Sequence, residues 1–136
     1  MAAQLIPDWQ ATLDALQELD SVGDRQPVGY YGLSQGGEMG IRLVAAEPRI
    51  TAAVLGLIGG DWLTETAARI TIPVEFVLQW DDEGHPRDSL MRLFDALGSA
   101  EKTLHANPGS HFRVPSFEIE SSTRFFARHL GTMRSS

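Results

Sequence analysis

Residues 32–36 read Gly-Leu-Ser-Gln-Gly, which places a serine between two glycines in a G-x-S-x-G pattern. The segment ends an apolar run over residues 28–33 that predicts a buried strand, and it precedes a helical pattern over residues 35–47. A sharp turn there would project the Ser34 hydroxyl above a sheet, and Gly32 and Gly36 lack the Cβ atoms that would keep strand and helix apart. The helix N-terminus suits a developing oxyanion. The pattern indicates a nucleophilic serine, with a glycine-rich turn whose serine only caps the helix as the alternative.

A serine hydroxyl is a weak nucleophile, so this chemistry needs a base, and the base needs a carboxylate to orient it. Residues 107–111, Asn-Pro-Gly-Ser-His, follow a predicted strand, and open α/β sheets place their sites at the carboxyl ends of strands. The Pro-Gly turn before His111 favours that histidine as the base. An ordinary surface-loop histidine is the alternative.

The carboxylate candidates lie in residues 80–86, Trp-Asp-Asp-Glu-Gly-His-Pro, directly after another predicted strand. Strand parity favours Asp82 as the acid over its neighbour Asp81. Three consecutive acidic residues are also typical of a solvated turn, so that alternative stays open.

Aromatic and imidazole side chains flank these loops. Trp62, Trp80 and Phe112 are candidates to line an acyl pocket, although aromatic residues near strand ends more often serve packing. His85 is a candidate for the mouth of the site, and a solvated loop histidine is the alternative we prefer. We predict no metal site, because the four histidines are dispersed without H-x-H or H-E-x-x-H spacing, and we expect no cofactor.

The elements that must position these residues alternate between helix and strand. Continuous apolar runs predict four strands, over residues 28–33, 51–57, 73–79 and 102–106. Apolar residues at helical spacing predict helices over residues 8–20, 35–47, 62–68, 88–97 and 115–130. The first helix is predicted to start at Pro7, with an apolar face of Trp9, Leu13, Leu16 and Leu19. Strands that are apolar throughout indicate an α/β fold, with a parallel sheet covered by helices on both faces.

The composition excludes several classes of protein. The chain has 136 residues, of which 43% are hydrophobic and 21% charged, as in an ordinary globular domain, and we expect a single domain over residues 1–136. A net charge of −7 without a basic cluster disfavours binding to nucleic acid or to an anionic membrane. There is no cysteine, so thiolate catalysis and disulfides are absent. With no signal peptide features and no apolar run near the roughly 20 residues that span a bilayer, we expect a cytoplasmic protein.

Three ordered motifs carry a resemblance to a known family. They are residues 29–37 around the serine, residues 72–86 through the acidic loop, and residues 108–111, Pro-Gly-Ser-His. On these motifs the chain resembles the C-terminal half of an α/β-hydrolase, in the broad group of dienelactone hydrolases and carboxylesterases. The resemblance implies Ser34 as nucleophile, Asp82 as acid and His111 as base, with the amide of Gln35 as one oxyanion donor. Asp61 is a more distant candidate acid, because some members carry the acid after the preceding strand.

The same resemblance predicts which strands are present. The four predicted strands would correspond to the fifth to eighth of that family, so we expect a truncated α/β-hydrolase fold without the usual N-terminal strands. The loop that supplies the second oxyanion donor then has no counterpart in this chain. The strand over residues 28–33 would expose an apolar edge, which favours pairing and aggregation. We expect a second copy of the chain to cover that edge in a homodimer.

Two functions follow from these residues. The first is a serine hydrolase that acts on small carboxylic esters through an acyl-enzyme; a thioesterase or amidase has the same triad. Residues 57–72 and 86–104 leave no room for a lid, which favours small or soluble esters. The alternative is a catalytically weak or inactive α/β-hydrolase fragment that acts as a dimeric or partner-binding module.

Overall fold

The computed structural model of the chain describes residues 2–17 and 27–131. The helices are α1 (Ala2–Gln17), α2 (Gln35–Ala46), α3 (Thr64–Ala67), α4 (Arg87–Ala96) and α5 (Phe117–Leu130). The strands are β1 (Val28–Leu33), β2 (Ile50–Gly56), β3 (Val74–Gln79) and β4 (Lys102–Asn107). A 3₁₀ turn at Asp61–Leu63 leads into α3. The ends of all four predicted strands are correct to within one residue, and the predicted end of the first helix, at residue 20, lies outside the described residues.

The four strands form one parallel sheet in the order β1-β2-β3-β4. Every residue of β3 is buried, and β2 is buried except at Thr51. Such strands can be apolar throughout because both faces of the sheet are covered. The predicted α/β class with a parallel sheet is confirmed.

Helices pack on both faces of this sheet. The larger core joins β2 and β3 to α2 and α4, and it includes Ile41, Leu55, Phe76 and Leu90, each 0% exposed. On the opposite face a smaller cluster packs Phe125 of α5 against Val54 and Val77. Alternate side chains along β2 and β3 therefore point into the larger core on one face and into the smaller cluster on the other.

The first helix differs from its predicted bounds. It begins at Ala2 rather than at Pro7, so the proline lies inside the helix. The preceding Ala-Ala-Gln segment has high helix propensity, which extends the helix despite the N–H that proline lacks. On the predicted apolar face Leu13 is buried but Trp9 is 45% exposed. The side chain of Leu16 and the whole of Leu19 lie outside the described residues.

The turn from β1 to α2 is held by close backbone contacts. Ser34 has φ 63° and ψ −118°, a conformation that L-residues adopt rarely. A Cβ on Gly32 would lie 2.4 Å from the Gly36 carbonyl oxygen, and a Cβ on Gly37 would lie 2.4 Å from the Gly56 carbonyl oxygen. The steric role predicted for Gly36 is wrong, since a Cβ there meets nothing within 4 Å. Gly37 has that role instead, because the third residue of α2 faces β2 while Gly36 faces open space.

Replacement of Gly37 by alanine should destabilise the protein, whereas the same change at Gly36 should not. The new Cβ at Gly37 would press on backbone that must shift, and such overpacking costs about 1–3 kcal/mol. At Gly36 the higher helix propensity of alanine should add roughly 0.5–1 kcal/mol to the free energy of unfolding. Urea denaturation of both variants measures the difference. Equal effects of the two substitutions would contradict the close approach of α2 to β2.

Candidate active site

Three of the predicted site residues meet at the carboxyl end of the sheet. Ser34 follows β1, Asp82 follows β3 and His111 follows β4, and parallel strands bring these ends to one edge. Ser34 Oγ lies 3.0 Å from His111 Nε2, and His111 Nδ1 lies 2.6 Å from Asp82 Oδ2. The three side chains thus form one continuous hydrogen-bonded chain, with His111 8% exposed.

The contacts of the Asp82 carboxylate stabilise its ionised form. Its Oδ1 accepts hydrogen bonds from the amides of Gly84 at 2.8 Å and His85 at 2.9 Å, while Oδ2 faces the His111 ring. Burial opposes the charged form, but the hydrogen bonds from His111 and these two amides outweigh it and lower the pKa of the Asp82 carboxyl. An ionised Asp82 accepts a hydrogen bond from the Nδ1–H group of His111, which keeps the proton on that nitrogen. Nε2 is then free to face the Ser34 hydroxyl.

The two acidic neighbours of Asp82 hold the backbone of the histidine loop. Asp81 Oδ2 accepts the Gly109 amide at 2.9 Å, and the Asp81 amide donates to the Gly109 carbonyl at 3.0 Å. Glu83 Oε1 accepts the amide of His111 itself at 2.9 Å. Asp82 therefore contacts the His111 ring, whereas Asp81 and Glu83 contact the backbone at Gly109 and at His111 itself.

A buried amide at the end of β3 also supports this loop. The Gln79 side chain is 0% exposed, and its Nε2 donates to the Ser110 carbonyl at 3.0 Å. The Oε1 atom of Gln79 has no hydrogen-bond partner among the described residues. Sequence reasoning missed Gln79 and Glu83; the available signal was a polar residue that ends an apolar strand, and a third carboxylate beside the candidate acid.

The amide of Gln35, the predicted oxyanion donor, lies beside Ser34. Gln35 is the first residue of α2, and the first N–H groups of a helix have no intrahelical acceptor. The Ser34 carbonyl accepts the amides of Gly37 and Glu38, at 3.0 and 3.1 Å, which secures the first turn behind Ser34. The arrangement leaves the Gln35 amide free of the helix ladder, next to Ser34.

The predicted pocket residues separate into two groups. Phe112 is 91% exposed and sets its ring edge-on to His111, with ring centroids 4.8 Å apart, and the centroid of the His85 ring is 5.6 Å from that of His111. Trp80 instead stacks under the Arg87 guanidinium at 3.9 Å, and the ring of Trp62 covers the backbone after β2, at Gly60. Phe112 and His85 are therefore the predicted pocket residues in contact with the His111 ring.

Asp61, the more distant candidate acid, points elsewhere. Its carboxylate binds Arg92 at 3.1 Å, and its side chain is 75% exposed. No described contact joins Asp61 to His111. The acidic group beside the histidine ring is Asp82.

The chain is similar to several solved structures. No protein-family model matches the chain, and no curated protein matches it. Native, zinc-bound and PEG-bound structures of a cold-adapted esterase from an Arctic intertidal metagenomic library do match it. They are 37–38% identical over 95% of this chain, with TM-scores of 0.87–0.88.

Two more distant structures share the fold. An esterase of Pyrococcus furiosus has 16% identity and a TM-score of 0.77 over 93% of this chain and 62% of its own. An acylaminoacyl peptidase of Pyrococcus horikoshii has 16% identity and a TM-score of 0.74 over 96% of this chain and 28% of its own. The chain belongs to the α/β-hydrolase superfamily.

This α/β-hydrolase chain spans 56–60% of the length of the Arctic esterase. The predicted truncated α/β-hydrolase fold with four parallel strands is confirmed. The correspondence to the fifth to eighth strands and the single domain over residues 1–136 stay predictions. Among the described helices, none is both long and apolar enough to cross a bilayer.

Proposed function

We propose that the chain is a serine hydrolase that acts on small carboxylic esters. The observation that carries the proposal is the chain of contacts from Ser34 Oγ through the His111 ring to Asp82, at 3.0 and 2.6 Å. Such a chain lets the imidazole take the serine proton while an ionised carboxylate holds its tautomer. The 38% identical structure, an esterase, supports the same chemistry. Placement in the cytoplasm stays a prediction from composition.

The proposed reaction passes through an acyl-enzyme. His111 Nε2 takes the hydroxyl proton as Ser34 Oγ forms a bond to the ester carbonyl carbon, whose oxygen becomes an oxyanion near the Gln35 amide. His111 then gives the proton to the leaving alcohol as the carbon–oxygen bond of the ester breaks. Water repeats the cycle: His111 accepts one of its protons, the hydroxide adds to the acyl carbon, and Ser34 leaves with that proton as the acid is released.

The surroundings of the triad favour a small or soluble acyl group. Phe112 is almost fully exposed beside His111, so the described walls of the site offer one apolar ring rather than a deep tunnel. Long lipid chains need a larger enclosed apolar surface. We therefore assign the site to short-chain esters.

Replacement of Ser34 by alanine should abolish both turnover and covalent labelling. Loss of the nucleophile in a comparable triad reduces kcat by about 10⁶-fold. A p-nitrophenyl ester assay measures turnover, and intact mass after treatment with a fluorophosphonate measures labelling. Ser116→Ala is the matched control, because Ser116 is exposed and makes no side-chain cap contact at α5. An unlabelled wild-type protein would favour the alternative of an inactive partner-binding module.

Replacement of Asp82 by asparagine should reduce kcat far more than the same change at Asp81. Asparagine at position 82 can no longer stabilise the imidazolium, and the equivalent change in a serine protease costs about 10⁴-fold. Asp81→Asn removes a charge from one backbone hydrogen bond, worth roughly 1 kcal/mol or about fivefold. Steady-state kinetics on both purified variants compares them. A larger loss at Asp81 would reassign the acid.

We further propose that a second copy of the chain pairs with β1. In the described sheet β1 has β2 on one side and no strand on the other, and Tyr31 is 51% exposed. A two-fold axis would continue the sheet through self-complementary backbone hydrogen bonds. Light scattering at micromolar concentration should give twice the 14.9 kDa chain mass, and Tyr31→Lys should lower it towards one chain. A monomeric wild-type protein would refute the dimer.

A further inference from the structure

A second group of ionisable side chains lies on the face of the sheet that α5 covers. Glu75 on β3, His105 on β4 and Glu118 in the first turn of α5 bring their ligand atoms within 4.8 Å of one another. The two glutamates are 3% and 4% exposed. Sequence spacing did not indicate this group, because its members lie on three elements that only the fold brings together.

Each polar atom of the group has a distinct environment. Glu118 Oε1 lies 2.8 Å from His105 Nδ1, and its Oε2 accepts the Asn107 side-chain amide at 2.8 Å. On the other side of the ring, His105 Nε2 lies 3.7 Å from Glu75 Oε2. The hydroxyls of Ser121 and Ser122 complete the surroundings of the Glu75 carboxylate, both at 3.2 Å.

The 3.7 Å separation between His105 Nε2 and Glu75 Oε2 indicates what could lie between them. It is too long for a hydrogen bond, so the two atoms face each other without a shared proton. Two donors on one tetrahedral ion, with bonds of about 2.0–2.1 Å, lie roughly 3.3–3.5 Å apart. We propose that His105 Nε2 and Glu75 Oε2 bind a divalent transition-metal ion, for which Zn²⁺ is the probe, and that Glu118 orients His105 for this role.

The charges of the group support a cation. Two nearly buried carboxylates need a compensating positive charge, which a bound cation supplies. The bond from Nδ1 to Glu118 is the arrangement by which metal-binding histidines are held, since a carboxylate on the remote nitrogen fixes the ring and increases its basicity. An imidazole and a carboxylate together suit Zn²⁺ and its neighbours in the first transition row.

The site has room for the remaining ligands. A cavity of about 340 Å³ adjoins Glu75 and His105 and admits the waters that complete a coordination sphere. Arg124 and Arg128 also line it. Arg128 Nη2 lies 2.8 Å from Glu101 Oε2, so its charge is already paired, and Arg124 is exposed, so solvent screens its repulsion of a cation.

Calorimetric titration of the full chain with ZnCl₂ at neutral pH tests the proposal. We expect a site that is lost in Glu75→Gln and in His105→Gln, and that is about 10–100-fold weaker in Glu118→Gln. Zinc should also raise the melting temperature of the wild type but not of the first two variants. His85→Gln and His129→Gln are matched controls, which should keep the site because neither residue belongs to the group.

A second measurement needs no variant. In the histidine side-chain ¹H–¹⁵N spectrum of the wild type, zinc should shift Nε2 of His105 while Nδ1 keeps its proton. A response confined to His111 and His85 would place the ion at the triad and overturn the proposal. So would a His105 that carries protons on both nitrogens and ignores zinc, since an imidazolium would then be the counter-charge of the two glutamates.

Discussion

The close approach of α2 to β1 and β2 is the constraint on which the candidate site depends. Ser34 holds a backbone conformation that costs on the order of 1–3 kcal/mol, so the surroundings must enforce it. The Ser34 amide donates to the Gly56 carbonyl at 2.9 Å, and Gly37 leaves room for that same carbonyl. A side chain at position 37 would push α2 away from β2, and the Ser34 hydroxyl would move with it. The position of Ser34 therefore depends on how closely the backbone of α2 packs against β1 and β2.

His111, the candidate base, is positioned by a different set of contacts. Residues 81–83 are all acidic, and each binds the histidine loop at a separate point: Asp81 at Gly109, Asp82 at the His111 ring, and Glu83 at the His111 amide. Repulsion within such a run is offset because every carboxylate accepts an N–H group rather than facing its neighbours. The acidic run over residues 81–83, for which a solvated turn was the alternative, thus holds the loop that carries the His111 ring in place.

The sequence alone predicts the parts of the molecule that local patterns determine. The first three strands are largely apolar segments between turn residues, and the turn at Ser34 has its own signature, so these elements were predicted to within a residue. The start of α1 was wrong because Pro7 resembles a helix start, and the helix propensity of the short segment before it is a weaker signal than that proline. The roles of Gly37 and Glu83 depend on which neighbouring element each residue faces. Pattern reading does not supply that information.

The fold also joins the two groups of ionisable residues. The histidine loop, residues 108–116, leaves β4 at Asn107 and enters α5 shortly before Glu118. Glu118 binds Asn107 at 2.8 Å and so closes the base of this loop, while Asp81, Asp82 and Glu83 hold it near His111. The other oxygen of Glu118 binds His105. A carboxylate that supports the loop therefore also binds the proposed metal ligand, and a positive charge at His105 would strengthen the hydrogen bond between His105 and Glu118. The conformation of the loop that carries the candidate base is in this way linked to the charge on His105, on the sheet face that α5 covers.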